Sequence, residues 1–364
     1  MRALILSHIY ADPSTRGKLR ALAGFGADLM IALPGGSLGV DTGIRLVPVP
    51  IKGNPDEPDA LHWNARALRR ILSDFRPDLV HIEAAPGTQA AAATASAAHR
   101  LGIPYVVFSA ESLRHRRGLF EGRRYRKTLS GAAGVIGGNR MAALLLVDAA
   151  PGALHTMLPQ FGVTPAPSVP PRHELRRGIR LGFMGRLVPE RGGELLLRAV
   201  AALMGAWTLT IVGTGPEQEP LEALAQRLGL ASRIRWLGGV PRSELGPVWE
   251  EIDCLVVPSH DTPTWVDRSN RFLLEAMSRS IAPVVTHAGA LPEMVGNAGV
   301  VVNDQEELVT VLQELLADPA RVRALGERAR QRILEEFVDS AVASRTKDFW
   351  EQVLARRNQS ARGV

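Results

Sequence analysis

Two series of short apolar runs, each run followed by a segment of helical periodicity, are separated by a stretch that fits neither pattern, and this sets the strongest limit on how the chain can fold. The first series predicts strands at Ala3–Ser7, Leu29–Leu33, Arg45–Val49, Leu79–Glu83, Tyr105–Ser109 and Gly134–Gly137. Between them, Arg16–Phe25, Leu61–Phe75, Thr88–Leu101 and Arg140–Asp148 carry apolar residues three and four apart, the spacing of crossover helices. Residues 163–178 contain four prolines and no apolar period, so they read as a linker. The second series then gives strands at Arg180–Met184, Thr208–Val212, Ile234–Leu237, Cys254–Pro258, Val284–Thr286 and Gly299–Val302. Its helices are Gly193–Met204, Pro216–Leu228, Arg242–Glu250, Arg271–Arg279 and Glu306–Ala317. Strands alternating with helices predict parallel sheets, so the expected fold class is α/β with two Rossmann-like, doubly wound domains facing a central cleft. The expected divisions are 1–162, a linker over 163–178, 179–335, and a helical tail over 336–364 that returns to the first domain.

Length and composition agree with that scheme. At roughly 100 to 200 residues per domain, 364 residues suggest two domains. With 46% hydrophobic and 22% charged residues and a mean hydropathy of +0.02, both a disordered chain and a membrane bundle are disfavoured. The net charge of +6 favours anionic partners. Cys254 is the single cysteine, which excludes an intrachain disulfide and fits a reducing compartment. Residues 1–7 are too short for a signal segment, and no apolar stretch reaches the roughly 18 residues of a spanning helix. A cytoplasmic location, peripheral at the inner membrane face, is the expectation.

Open α/β sheets bind ligands beyond the carboxyl ends of their strands, so the strand-to-helix turns are where chemistry is expected. The turn after Arg180–Met184 runs Gly185-Arg186-Leu187-Val188-Pro189-Glu190-Arg191-Gly192 and brings two guanidiniums to a helix start, a setting suited to a diphosphate. Two solvated loop cations would give the same spacing. Val212-Gly213-Thr214-Gly215-Pro216 allows a sharp turn or a close backbone approach. From Pro258 to Glu293, Asp267 and Glu275 stand eight apart at one strand end. One carboxylate there could accept from ribose hydroxyls, while amides opening the helix near Arg271 and Phe272 could meet phosphate. A helical pair between Glu275 and Arg279 is the alternative.

Taken together, Gly185-Arg186…Arg191-Gly192, Val212-Gly213-Thr214-Gly215-Pro216, Phe272-Leu273-Leu274-Glu275-Ala276-Met277 and Pro283-Val284-Val285…Gly289…Pro292-Glu293 resemble the GT-B-fold retaining glycosyltransferases of family GT4, in order and spacing across residues 180 to 300. The resemblance implies transfer of a hexose-type sugar from a nucleotide-diphosphate sugar to a hydroxyl acceptor, with retention and without a metal or other cofactor. It implies catalytic roles for Arg186 and Arg191 at the donor diphosphate and for Asp267 beside the sugar. Glu275 would hold the ribose, Asn270, Arg271 and Phe272 the phosphate oxygens, and Gly239 and Val240 the base. Gly185 and Gly213 would complete the donor site, and Gly17 would let the N-terminal loop approach the diphosphate. His8 and Glu111 stand on the acceptor side.

Several positions depart from the family pattern. Arg191 replaces the usual Lys, Asp267 the usual Glu, and Ser269-Asn270 the usual Phe-Gly. The first-domain loop keeps Gly17 where two glycines are common, and Glu111 lies where a His is often found. These departures keep two alternatives open: a catalytically silent glycan- or partner-binding relative, and a sugar-nucleotide epimerase.

Other motifs carry less. Gly35-Gly36-Ser37-Leu38-Gly39 matches a hydrolase nucleophile elbow but lacks the helix that must follow. The glycine fingerprint of dinucleotide folds, the P-loop, the zincin motif and the Asp-x-Asp pair of metal-dependent transferases are all missing. Arg114–Lys127 packs seven Lys or Arg around Leu119, Phe120 and Tyr125, suggesting contact with an anionic membrane, or else a solvated basic surface; no recognition motif for nucleic acid accompanies it. His8, His81, His260 and His287 fall near strand ends, where each alone is more economically a structural histidine.

Overall fold

Runs that are apolar at every position, without alternation, build parallel sheets covered on both faces, and the strands of this chain are largely of that kind. The computed structural model describes residues 1–36, 41–54, 57–114, 116–165 and 178–362. Ser37, Leu38 and Gly39 of the elbow-like motif, most of the proline-rich linker, and His115 lie outside the described residues. The chain divides into one unit of Met1–Thr164 with Phe337–Val364 and a second of Pro165–Glu336.

In the first unit β1 (Arg2–Leu6), β2 (Asp28–Pro34), β3 (Ile44–Val49), the short antiparallel pair β4 (Ile51–Lys52) and β5 (His62–Trp63), β6 (Leu79–Ile82), β7 (Tyr105–Ser109), β8 (Gly134–Gly137) and β9 (Leu154–Met157) are joined by α1 (Gly17–Gly24), α2 (Ala65–Phe75), α3 (Gln89–Arg100), α4 (Leu119–Ser130) and α5 (Arg140–Ala149). Seven parallel strands lie in the order β3-β2-β1-β6-β7-β8-β9, which reverses direction between β1 and β6. Side chains start the helices where the sequence offers them. Asn64 accepts from the amides of Arg66 and Ala67, Thr88 from Ala91 and Asn139 from Ala142. Seven residues of alanine-rich α3 are buried, as small side chains permit close approach to the sheet.

The second unit holds β10 (Ile179–Met184), β11 (Trp207–Val212), β12 (Ile234–Trp236), β13 (Cys254–Val257), β14 (Ala282–Thr286) and β15 (Val300–Val302) with α6 (Gly193–Ala201), α7 (Gln218–Arg227), α8 (Gly246–Glu250), α9 (Arg271–Ser278), α10 (Leu291–Val295), α11 (Gln305–Ala317) and α12 (Pro319–Arg332). Its parallel order is β12-β11-β10-β13-β14-β15, reversing between β10 and β13. The core joins Leu181, Phe183, Leu209, Ile211 and Val256 of the sheet to Leu196, Leu197, Leu308 and Leu312 of the helices.

After a π-helical turn at Ile333–Phe337, α13 (Asp339–Arg362) belongs to the first unit. Trp350 is fully buried, and with Phe349 and Val353 it joins the core made by Ala3, Ile5, Leu79, Val106 and Ile136. Gly17 opens α1 against the start of this helix, where a Cβ would lie 2.0 Å from the Asp339 carboxylate.

Several elements depart from the sequence expectations; the helix expected over Leu61–Phe75 starts only at Ala65, with strand β5 before it and Asn64 as its cap. The α4 helix falls inside the basic segment, whose burial of only Thr128 and Leu129 leaves no apolar stripe to read. Strand β9 is half exposed at the sheet edge and lacks an apolar run. The expected helix Arg242–Glu250 breaks into a 3-10 turn at Arg242–Glu244 and α8, with Gly246 and Pro247 restarting it.

A charged cluster lies inside the first unit where β1 and β6 end. Lys18 Nζ is 2.6 Å from Glu83 Oε1, with side chains 2% and 0% exposed. The Tyr10 hydroxyl donates to the same oxygen at 3.2 Å and Gln160 Nε2 to Oε2 at 3.2 Å. Burial pushes the Glu83 carboxyl up, but Lys18, His81 and Gln160 outweigh it and leave the group below the usual carboxylate range. His81, also buried, has no hydrogen bond to either ring nitrogen and meets Trp350 edge-on at 5.5 Å. Burial, opposed by Glu83 and aided by Lys18, lowers it from 6.5 to about 4.

Candidate functional site

Three consecutive turns of the second unit are stitched together at the carboxyl ends of β10, β11 and β12. The Gly185 amide donates to the Val212 carbonyl at 3.0 Å, Leu187 to Thr214 at 2.9 Å and Gly213 to Gly238 at 2.7 Å. Gly213 has φ +141° and lies so close to the Gly185 carbonyl that a Cβ would sit 1.8 Å from its oxygen. Glycine there is required by backbone-to-backbone packing, a reason independent of any ligand. Gly239 is exposed and Val240 half-buried in the segment that follows β12.

The two arginines of the first turn end differently. Arg191 Nη1 donates to Asp267 Oδ2 at 2.5 Å, and its Cζ is 5.2 Å from the centroid of the Trp265 ring. Arg186 is exposed, and among the described residues its guanidinium has no hydrogen bond or ion pair. A Cβ on Gly185 would lie 3.9 Å from Arg191 Nε, so the Arg191 side chain passes over that glycine.

Asp267 is only 1% exposed at its side chain. Its Oδ2 also accepts from Ser259 Oγ at 3.2 Å and Asn270 Nδ2 at 3.4 Å. Its carbonyl accepts from the Ala290 amide at 2.7 Å, and Gly289, at φ +48°, leaves no room for a Cβ beside that oxygen. The buried carboxylate is thus fixed from both ends and holds Arg191 in place, a role the sequence reading did not assign to it.

Asn270 links this group to α9. Its Oδ1 accepts from the Leu273 amide at 3.1 Å as the helix N-cap, and Phe272 beside it has a first-turn amide without an intrahelical acceptor. One turn on, Glu275 Oε1 lies 2.8 Å from Arg242 Nε and 3.4 Å from Arg271 Nε. Arg271 is thus a helical partner of Glu275, four residues before it. Arg242 also lies 5.5 Å from the Phe272 ring centroid.

The second unit therefore gathers Gly185, Arg186, Arg191, Gly213, Gly239, Val240, Asp267, Asn270, Arg271, Phe272 and Glu275 along one end of its sheet. Gly17, His8 and Glu111 belong to the first unit. Glu111 accepts from Arg117 Nη2 at 2.9 Å. His8 is lowered from its ordinary value by burial, against Asp59 and Glu83. Sequence reasoning missed Ser259, Trp265 and Arg242 as partners of the site. Their signal was present only as nearness to the motif residues in the chain. Among the described residues, no group of three or more His, Cys, Asp or Glu is placed to hold a metal ion.

Comparison with known proteins matches both units to glycosyltransferase families. Residues 11–159 fit the glycosyl transferase 4-like domain and residues 178–318 the glycosyl transferases of group 1. The GDP-mannose-dependent alpha-(1-6)-phosphatidylinositol monomannoside mannosyltransferase of Mycolicibacterium smegmatis is 31% identical over 187 residues, 47% of this chain and 49% of that protein. The MMP alpha-(1->4)-mannosyltransferase of Mycolicibacterium hassiacum is 32% identical over 193 residues, 51% and 46% of the two chains. This chain thus spans about half the length of the curated relatives it matches. Among solved structures, Anabaena HepE in complex with UDP superposes with a TM-score of 0.74 at 18% identity, covering 97% of this chain and all of that one. With both units matched in sequence and the whole fold matched in space, the chain belongs to the GT4-like, GT-B-fold glycosyl transferases of group 1.

Proposed function

We propose that the protein transfers a hexose-type sugar, with retention, from a nucleotide-diphosphate sugar to a hydroxyl acceptor. The observation that carries this reading is the paired Arg191 and unpaired Arg186 on one turn at the carboxyl end of the second sheet. Cleavage of the anomeric C–O bond leaves positive charge on the sugar and negative charge on the departing diphosphate. Guanidiniums already in place lower that barrier without reorganising. Asp267 sets the position of Arg191 and is not assigned as a nucleophile. First-turn amides of α9 would complete the phosphate site, and Glu275 would accept from the ribose, with its carboxylate held by Arg242 and Arg271.

A cavity of about 440 Å³ beside the same turn is lined by residues including Val188, Gly192, Glu194, Glu217 and His260. Glu194 there is paired with Arg198, and the donor is assigned to the side of Arg186, whose guanidinium has no partner among the described residues. Two of the matched relatives are named as mannosyltransferases, one of them GDP-mannose-dependent, which supports GDP-mannose as the first donor to try. His8 and Glu111 are assigned to acceptor recognition in the first unit, and the acceptor is read as one presented at an anionic membrane contacted through Arg114–Lys127. No metal takes part in this reading.

The deciding experiment incubates the protein with GDP-mannose, UDP-glucose and ADP-glucose, with and without EDTA, and measures nucleoside diphosphate release and binding. Chelator-insensitive release from one donor is expected. Absence of binding and release across the panel would overturn the reading, and product with an altered sugar but no release would favour the epimerase.

A further inference from the structure

The segment that leaves β13 runs against the turn after β10 before it reaches α9. Gly192, at φ +71°, lies on the Pro258 carbonyl with no room for a Cβ, and the His260 amide donates to the Glu190 carbonyl at 2.9 Å. The residues on both sides of Arg191 are therefore in contact with this segment. Elsewhere it is fastened to the turn after β14, where Asp261 Oδ2 accepts from the Gly289 amide at 3.1 Å and the Asp267 carbonyl accepts from Ala290. Between these anchors it doubles back. The Thr262 amide donates to the Trp265 carbonyl at 2.8 Å, and Thr262 Oγ1 accepts from the Trp265 amide at 3.0 Å, with Pro263 and Thr264 exposed at the tip.

That reversal returns the chain to Arg191. The guanidinium lies over the Trp265 ring, with Cζ 5.2 Å from its centroid, inside the distance at which an indole face attracts a cation. Asp267, two residues further on, takes Nη1. One short loop thus supplies both an aromatic face and a carboxylate to the same side chain. Trp265 is half-buried and the Arg191 side chain is 23% exposed, so the pair remains open to a ligand.

We infer that Trp265 is a positioning residue for the donor diphosphate and acts through Arg191. A single contact with Asp267 leaves a long side chain free to pivot about it, and fixing an arginine costs rotamer freedom. A second contact on the indole removes the pivot before the ligand arrives. An aromatic ring does this without a neutralising charge, whereas a second carboxylate would cancel the charge that the diphosphate needs. The guanidinium is then held in one orientation with its charge available, the condition under which a preset cation stabilises a departing anion. This rests on the donor site proposed above, and the test is framed on the anion alone.

The full chain is titrated with inorganic pyrophosphate, which carries the charge of the diphosphate without base or sugar, and binding is read by calorimetry. Trp265→Leu should weaken the affinity by about tenfold, while Trp265→Tyr, which restores an aromatic face, should stay within about threefold of the parent. Arg191→Ala should weaken it too, and Trp265→Leu added to that variant should cost nothing more, because the ring then has no guanidinium to hold. An equal loss from Trp265→Leu with and without Arg191 would overturn the inference, since the ring would then act by itself. Parent affinity in Trp265→Leu, or a Tyr variant as weak as the Leu variant, would overturn it as well. Melting temperatures within about two degrees of the parent will show that the variants fold. A second measurement needs no Leu variant: the difference in emission between the parent and Trp265→Tyr should change when pyrophosphate binds, and an unchanged difference would separate Trp265 from the anion. Binding that follows the expected pattern with no release from any donor would sink the transfer reading and leave the role of Trp265 standing. No binding of pyrophosphate by the parent would overturn both.

Discussion

Arg186 and Arg191 leave one turn for opposite environments, and that difference ranks them. Arg191 is already engaged by Asp267, so its charge is partly compensated before any ligand arrives. Arg186 has no such partner among the described residues, and a diphosphate would be its first counter-charge. Arg186→Ala should therefore cut turnover by about 100-fold or more, with release of nucleoside diphosphate as the measurement; turnover near that of the parent would remove Arg186 from the site. His81 gives a prediction of a different kind. It is neutral and buried in the folded chain, with its titration lowered to about 4 from 6.5. The unfolded chain binds the proton first as pH falls, so stability is full above about 6.5 and declines toward about 4, by roughly 3 kcal/mol in all. Glu83 is lowered too, so its contribution is full above the ordinary carboxylate range and is lost as pH falls through and below it. Denaturant melts across this range should show a flatter acid limb for His81→Phe; an unchanged limb would mean that other groups carry it.

At the scale of elements, α9 is the part on which most of the site depends, because one side chain both starts it and touches the buried acid. Asn270→Ala removes the cap, at about 1 kcal/mol, and one donor to Asp267. The expected result is a melting temperature lower by a few degrees together with weaker nucleotide binding, whereas Asn270→Ser should recover the cap. Binding unaffected by the Ala change would separate α9 from the donor site. Elements with a dense apolar run, such as Tyr105–Ser109 and Gly134–Gly137, were legible to the residue. Strand β9 and helix α4 were not, because an edge strand and a solvent-facing helix bury too little to leave a period in the sequence. The site divides similarly. Arg186, Arg191, Asp267 and Glu275 stand out because spacing puts them in turns after strands. Arg242 meets Glu275 across the intervening α8 and β13, and the Lys18–Glu83 pair joins residues 65 positions apart.

For the whole molecule, the parallel character of both sheets was readable from alternation alone, while the strand order, and with it the site, needed strand neighbours to be known. The main apolar cluster of the second unit among the described residues is drawn from residues 179–325. That of the first includes Phe349, Trp350 and Val353. A fragment of residues 178–336 is therefore expected to melt cooperatively by itself. A fragment of residues 1–164 should not, unless a peptide of residues 337–362 is supplied. Cooperative melting of 1–164 without the peptide would show that α13 is dispensable.

Trp350 reaches the sheet of the first unit from a helix that follows the whole second unit in sequence, and this has a consequence for biosynthesis. Ribosomes release a chain from its N-terminus, and domains ordinarily fold in that order. Here the unit that begins first must wait for its last helix, so the unit encoded in the middle is complete earlier. Until α13 has emerged, the growing chain carries a finished domain behind an unfinished one, and the exposed floor of β1 and β6 is the surface a chaperone would have to cover.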